Sequence, residues 1–167
     1  MALIVGTAFA DGITGSAGDD FIIGLAGNDT LRGESPNGSA LGNDTLIGGP
    51  GNDVLDGAGL ETPDEVDILI GGSGNDIFSL QDDGDLYDSL SVIVDFELSG
   101  DRISLPGSGA SAFTNRFVFI DGSFEENSGA FLVGITPGNF GEQVAFFVNH
   151  SAGNLNSIFS GSSSPII

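Results

Sequence analysis

Large apolar residues recur through the first half of the chain, each two places after an aspartate. Ile13, Ile22, Leu31, Leu46, Leu55, Leu69, Phe78 and Tyr87 follow Asp11, Asp20, Asp29, Asp44, Asp53, Asp67, Asp76 and Asp85. Five of the seven steps between these aspartates are nine residues; the other two are fifteen and fourteen, nine plus a short insertion around Glu34–Ala40 and Leu60–Glu65. An Asp followed by one apolar residue between two others reads as a turn feeding a very short strand whose middle residue points inward.

Two such units make one coil, so alternate turns stack along opposite edges. One edge then carries Asp11, Asp29, Asp53 and Asp76, and the other Asp20, Asp44, Asp67 and Asp85. Both insertions fall on the second edge, which leaves the first more regular. The residues flanking each inward position face out. They are mixed on one sheet (Thr30, Arg32, Val54, Asp56, Ile77, Ser79) and apolar on the other (Phe21, Ile23, Thr45, Ile47, Ile68, Ile70). An apolar face of that kind marks an interface.

The pattern changes in the second half. Ten of the thirteen phenylalanines lie from Phe96 onward, and the segments 116–121, 130–135 and 143–150 are apolar on both faces. Strands of that composition are sandwiched between other layers. The expected fold is all-β: a parallel β-roll of nonapeptide repeats over residues 1–90, then an antiparallel β cap over 91–167. The cap is expected to cover either the end of the roll or its apolar face; burial of that face by a partner chain or by self-association is the alternative.

Charge and composition narrow the chemistry. The chain has 24 acidic residues against three arginines and no lysine, a net charge of −21. Phosphate binding needs clustered Lys and Arg, so nucleic acid and anionic membrane are poor partners. Cations are favoured ones. No run reaches the roughly 18 uncharged apolar residues of a membrane-spanning helix, and without cysteine neither disulfides nor zinc–thiolate sites contribute. The N-terminal segment has no basic stretch of the kind that begins a cleavable signal.

Stacked turns explain the acidity. Two carboxylates about 4 Å apart repel by roughly 4 kcal/mol at an effective dielectric of 20. A hard divalent cation reverses that sign. Ca²⁺ takes six to eight oxygens, and backbone carbonyls supply the remainder where glycine lets the turn curl. Asn28, Asn43, Asn52 and Asn75, each just before an Asp, are suited to unusual backbone angles. Asp95 and Asp101 form a candidate pair for one further cation. QDDGDLYD at 81–88 has its glycine misplaced for an EF-hand loop.

The turns GSAGDD, GLAGND, GGPGND and GGSGND resemble the RTX, or haemolysin-type, calcium-binding repeat over residues 6–88. The segment VIVDFELSGDRISL at 92–105 is similar to one that commonly follows such repeats. The resemblance implies a parallel β-roll with Ca²⁺ in the turns, about six ions at most. It implies a carboxylate-ligand role for Asp11, Asp20, Asp29, Asp44, Asp53, Asp67 and Asp76, completed by turn carbonyls such as those of Gly24, Ala26, Gly48, Pro50, Gly71 and Ser73. Two places depart from the pattern: the first turn, GTAFAD, lacks an internal glycine, and Asp85 lacks the glycine lead. Many such proteins are exported unfolded by type I secretion, which makes roughly the last fifty residues, ending SGSSSPII, a candidate uncleaved export signal and the chain a secreted or cell-surface one.

Catalytic machinery is not evident. There is no HExxH or GxSxG motif, and one histidine with no cysteine or lysine cannot assemble the usual nucleophile–base pairs. His150 reads as a surface or loop residue. The expected role is calcium-dependent folding of a structural or surface-interaction module. The alternative is recognition of carbohydrate or another ligand through the C-terminal half, with phenylalanines as a platform.

Overall fold

A computed structural model of the chain describes residues 1–33, 42–57, 65–80, 89–104, 117–124, 126–136 and 139–159. In chain order its elements are β1 (Ala2–Val5), β2 (Gly12–Thr14), β3 (Asp20–Ile23), β4 (Thr30–Arg32), β5 (Thr45–Pro50), β6 (Val54–Asp56) and β7 (Glu65–Ser73). There follow β8 (Ile77–Ser79), β9 (Ser89–Ile93), β10 (Arg102–Ser104), β11 (Phe117–Phe124), β12 (Asn127–Thr136), β13 (Asn139–Val148) and the helix α1 (Ala152–Phe159).

Strands alternate between two sheets. β1, β3, β5, β7 and β9 stack in parallel in one, and β2, β4, β6, β8 and β10 in the other. The architecture is the expected parallel β-roll with an antiparallel C-terminal addition. The strands of the second sheet are three residues each because one inward residue fills a coil this thin: Ile22, Leu46 and Leu69 from the first sheet meet Leu31, Leu55 and Phe78 from the second, all fully buried. The parallel register puts like residues above one another, Leu31 on Leu55 and Leu55 on Phe78. Successive coils therefore bury one continuous core, as repeat architectures require.

The roll pattern continues past residue 90, because β9 and β10 add a last coil, with Asp67 opposite Ser91 and Ile77 opposite Arg102. Beyond it, β13 pairs in parallel with β9, and β12 and β11 follow antiparallel, so the first sheet grows to eight strands. The inward side of this hairpin system supplies Ala130, Leu132, Ala145 and Phe147, and α1 adds Ala152 and Leu155, to the same core as Leu69, Phe78, Ile93 and Ile103. Phe96 joins the layers, with its ring centroid 5.8 Å from Phe78 and 5.2 Å from Phe147. The cap thus closes the end of the roll.

It leaves the apolar face of the first sheet in place. Phe21, Ile23, Ile47 and Ile70 are half-buried there, and Ile68 is 39% exposed. On the same side, nearer the cap, Val92, Phe131, Phe146 and Val148 form a second apolar cluster flanked by Val66 and Leu90. Phe96, Phe131, Phe146 and Phe147 are therefore core residues, and none of these four offers a free ring to a ligand. Among the described residues no helix is long and apolar enough to cross a membrane.

Candidate metal centre in the stacked turns

The aspartates form two ladders along the edges. On the first edge Asp11 donates its backbone N–H to Oδ1 of Asp29 at 2.8 Å, Asp29 to Asp53 at 2.8 Å, Asp53 to Asp76 at 2.9 Å and Asp76 to Asp101 at 2.9 Å. On the second edge Ala2 donates to Asp20 at 2.6 Å, Asp20 to Asp44 at 2.7 Å and Asp44 to Asp67 at 2.9 Å. One oxygen of each of these accepting carboxylates is thus spent on the neighbouring coil. Asp85 lies outside the described residues. The register place after Asp67 belongs to Ser91.

The second carboxylate oxygen separates the turns into two kinds. Oδ2 of Asp29, Asp53, Asp67 and Asp76 is buried with no hydrogen-bond partner, in residues no more than 1% exposed. Oδ2 of Asp11 instead accepts the N–H and hydroxyl of Thr7, and that of Asp20 the N–H and hydroxyl of Ser16. Asp101 Oδ2 accepts the Glu97 N–H at 2.7 Å. An orphaned buried carboxylate oxygen is costly, so four of them in repeated positions call for a counter-charge.

The surroundings offer more oxygen. A Cβ placed on Gly48 would collide with Oδ2 of Asp53 and come within 2.6 Å of the carbonyl oxygen of Gly71. Only glycine leaves that hollow open, and the two oxygens flank it. Gly24 repeats the arrangement with Asp29 Oδ2 and the Gly48 carbonyl. Among the described residues no three acidic or histidine side chains converge on one point. A cation here must then draw most of its ligands from the backbone, as Ca²⁺ does and as softer metals do not. These residues fit that ion.

The other expected ligands fall less simply. The carbonyls of Pro50 and Ser73 accept the N–H groups of Gly27 and Gly51 across the coils, at 3.0 and 2.9 Å. Ala26 holds the third place of the turn ending in Asp29. Asp95 Oδ1 and Oδ2 accept the N–H groups of Gly71 and Gly72 at 2.9 and 2.8 Å. With Asp101 also engaged at both oxygens, these two side chains act in the described structure as hydrogen-bonding stoppers on the last turn. The asparagines before each Asp do not take unusual backbone angles. The positive-φ non-glycine residues described are Leu25 and Asn149. Asn28 and Asn52 instead use Oδ1 to accept the N–H of Asn52 and Asn75, a second ladder outside the first.

Burial sets the electrostatics. The Asp67 carboxyl is pushed up to about 9, first by burial and then by the charges of Glu65, Asp44 and Asp56. Asp76 is raised to about 6 by burial, with Asp101, Asp53 and Asp95 adding to it. Burial likewise raises Asp53 and Asp101. At Asp20 burial is outweighed by hydrogen bonds from Ser16 and Ala2, and the net shift is downward. Without metal, the inner turns hold carboxyls that resist ionisation. Glu65, two places before Asp67, was missed in the sequence as part of this environment. It is 5% exposed and accepts the Gly42 N–H at 2.7 Å.

The profile of the RTX calcium-binding nonapeptide repeat, in four copies, matches residues 4–35, 40–59 and 64–88. The repeat half of this chain belongs to the RTX calcium-binding family. Its matched segments contain all four orphaned aspartates. No curated protein sequence matches the chain. Among solved structures, the chain is similar to the AlgE6R3 subunit from the Azotobacter vinelandii mannuronan C5-epimerase, 22% identical over 95% of this chain and 84% of that one, TM-score 0.32. It is also similar to the extracellular lipase LipA from Serratia marcescens, 13% identical over 99% of this chain, TM-score 0.33; the chain spans 39% of that lipase.

Proposed function

We propose that this protein is a calcium-loaded RTX module that folds on binding Ca²⁺ outside the cell and serves a structural or surface-interaction role there. The observation that carries the reading is the set of buried, unpartnered Oδ2 atoms on Asp29, Asp53, Asp67 and Asp76. Asp29, Asp53, Asp67 and Asp76 would hold the ions, with the carbonyls of Gly48 and Gly71 beside them. Bound calcium would supply the positive charge that lets Asp53, Asp67 and Asp76 ionise in place. The chain's own part is to hold one oxygen of each carboxylate with a neighbouring N–H and leave the other aimed inward.

Folding then couples to the ion. At low calcium the acidic, glycine-rich chain faces charge repulsion and ordering entropy that its thin core does not overcome. Millimolar calcium pairs the turns and releases that penalty, as for other sites absent from the unfolded chain. A chain kept open in a low-calcium cytoplasm suits export; of the C-terminal stretch that would carry the signal, residues 160–167 lie outside the described residues. The apolar face around Ile47, Ile68 and Ile70 is the surface for a partner or a second copy. The role is non-catalytic in this reading, since the buried acids are taken up in turns. Circular dichroism with calcium and with chelator, followed by an ion count, tests it: equal β-content in both conditions counts against it.

One observation favours a second reading, recognition of a carbohydrate. A cleft of about 350 Å³ opens where β11 and β12 meet the start of α1, lined by Asp121, Ser128, Asn149, His150 and Ser151. Its lining mixes hydrogen-bond donors and acceptors with a single carboxylate, one oxygen of which accepts the Ala152 N–H at 2.6 Å. Saturable glycan-array binding that disappears with Asp121→Ala would support it; no binding by the calcium-loaded chain would remove it.

A further inference from the structure

The first turn of the first edge differs from the inner turns of that edge in one way that bears on where metal enters. At the second place of the inner first-edge turns the backbone is left-handed: φ is +80° at Leu25, +115° at Gly49 and +98° at Gly72. Glycine tolerates this conformation, but a leucine rarely adopts it, so the shape is imposed by what the turn does. Thr7 holds the same place in the first turn and is not left-handed. Its N–H, at 2.6 Å, and its hydroxyl, at 2.8 Å, both reach Asp11 Oδ2. Ser16 repeats the arrangement on the second edge, with the same two distances to Asp20 Oδ2.

We propose that Thr7 and Ser16 stand in for a cation in the first turn of each edge, so that the N-terminal coil is sealed by protein donors and metal loading begins at the turn ending in Asp29. Two donors converging on one oxygen occupy the lone pairs that a Ca²⁺ ion would take, and they lie on the side where the inner turns leave Oδ2 bare. The pairing is also local, four residues from donor to acceptor, whereas an inner turn needs its neighbour's carbonyls. A solenoid end needs a cap, and here the cap is a change of side chain within the repeat. The opposite end of the first edge follows the same logic, with Glu97 donating to Asp101 Oδ2 and Asp95 accepting from Gly71 and Gly72. The inference deepens the calcium reading and rests on it.

The test is an ion count on the full chain by equilibrium dialysis against calcium and atomic emission. Combining Thr7→Gly, Phe9→Gly and Ala10→Asn converts the turn GTAFAD to the pattern of GGSGND. That variant should bind one ion more than the parent, and Asp11→Asn in the parent should bind the same number. An unchanged count in the folded triple variant, or loss of an ion with Asp11→Asn, overturns the inference. Should the triple variant fail to fold, Asp11→Asn decides alone. A parent that binds no calcium is seen before any variant is compared, and it removes the calcium reading and this inference together.

Discussion

Asp53 gives its backbone N–H to Oδ1 of Asp76 at 2.9 Å while its own Oδ1 accepts the N–H of Asp29 and its Oδ2 has no partner. One side chain thus joins three coils and carries an unbalanced buried charge. That double duty makes the turns both the staple of the roll and the reason it needs a cation.

Asp53→Ala removes an acceptor from the buried Asp29 N–H, a loss of about 1–3 kcal/mol, and takes a carboxylate from the middle of the regular edge. Calorimetric titration should give a weaker calcium affinity for Asp53→Ala than for Asp85→Ala. Equal titrations of the two variants would refute this.

Acid should stabilise the metal-free roll. Asp67, raised to about 9, and Asp76, raised to about 6, bind more protons folded than unfolded above the ordinary carboxylate range. Their contribution is therefore present at about pH 4 and lost as pH rises through 6 and then 9. Asp20, shifted downward, acts only below that window. Circular dichroism in chelator should show β-content that grows as the pH is lowered from about 8.5 to about 5; β-content that falls on acidification contradicts the burial described.

Calcium must displace those protons. Binding near pH 7 should therefore release protons, chiefly from Asp67, and affinity should drop as the solution is acidified. Titrations in two buffers of different ionisation enthalpy should give different apparent heats, and identical heats would mean that Asp67 is already ionised.

Leu25 is 43% exposed at φ +80°, so it loses little burial and gains freedom when shortened to glycine. Left-handed strain of about 1–2 kcal/mol is offset by glycine's entropy of about 0.5–1 kcal/mol. Leu25→Gly should raise calcium-saturated stability by up to about 1 kcal/mol, and Leu25→Ala should not. Denaturant melts at saturating calcium compare them.

Removing residues 106–167 strips Phe147, Leu132 and Leu155 from the core and exposes Phe96 and Ile103 at the end of the roll. The truncated chain should associate or fail to fold with calcium. A truncated roll that stays monomeric and folds normally, seen by sedimentation and circular dichroism, would show that the cap is dispensable.

The spacing of Asp and apolar residue determined the roll by itself. A period of nine leaves one inward side chain per strand, so Leu31, Leu55 and Phe78 had to stack, and Asp29, Asp53 and Asp76 with them. Two short insertions did not obscure this, because they lie in turns and leave the strands in phase. The apolar strands of the second half were legible as strands, but their destination was not. Phe147 and Phe146 are neighbours in sequence and face opposite sides of the sheet, one into the roll's core and one into the outer cluster. Tertiary structure alone decided which aspartates are left with a bare oxygen. The sequence marks the Asp11 turn, GTAFAD, as unlike the GGPGND of Asp53, but only folding brings Thr7 onto the first carboxylate while leaving the second open. A carboxylate's need for metal depends on which donors come within hydrogen-bonding distance of it, and that distance is set by the folded turn.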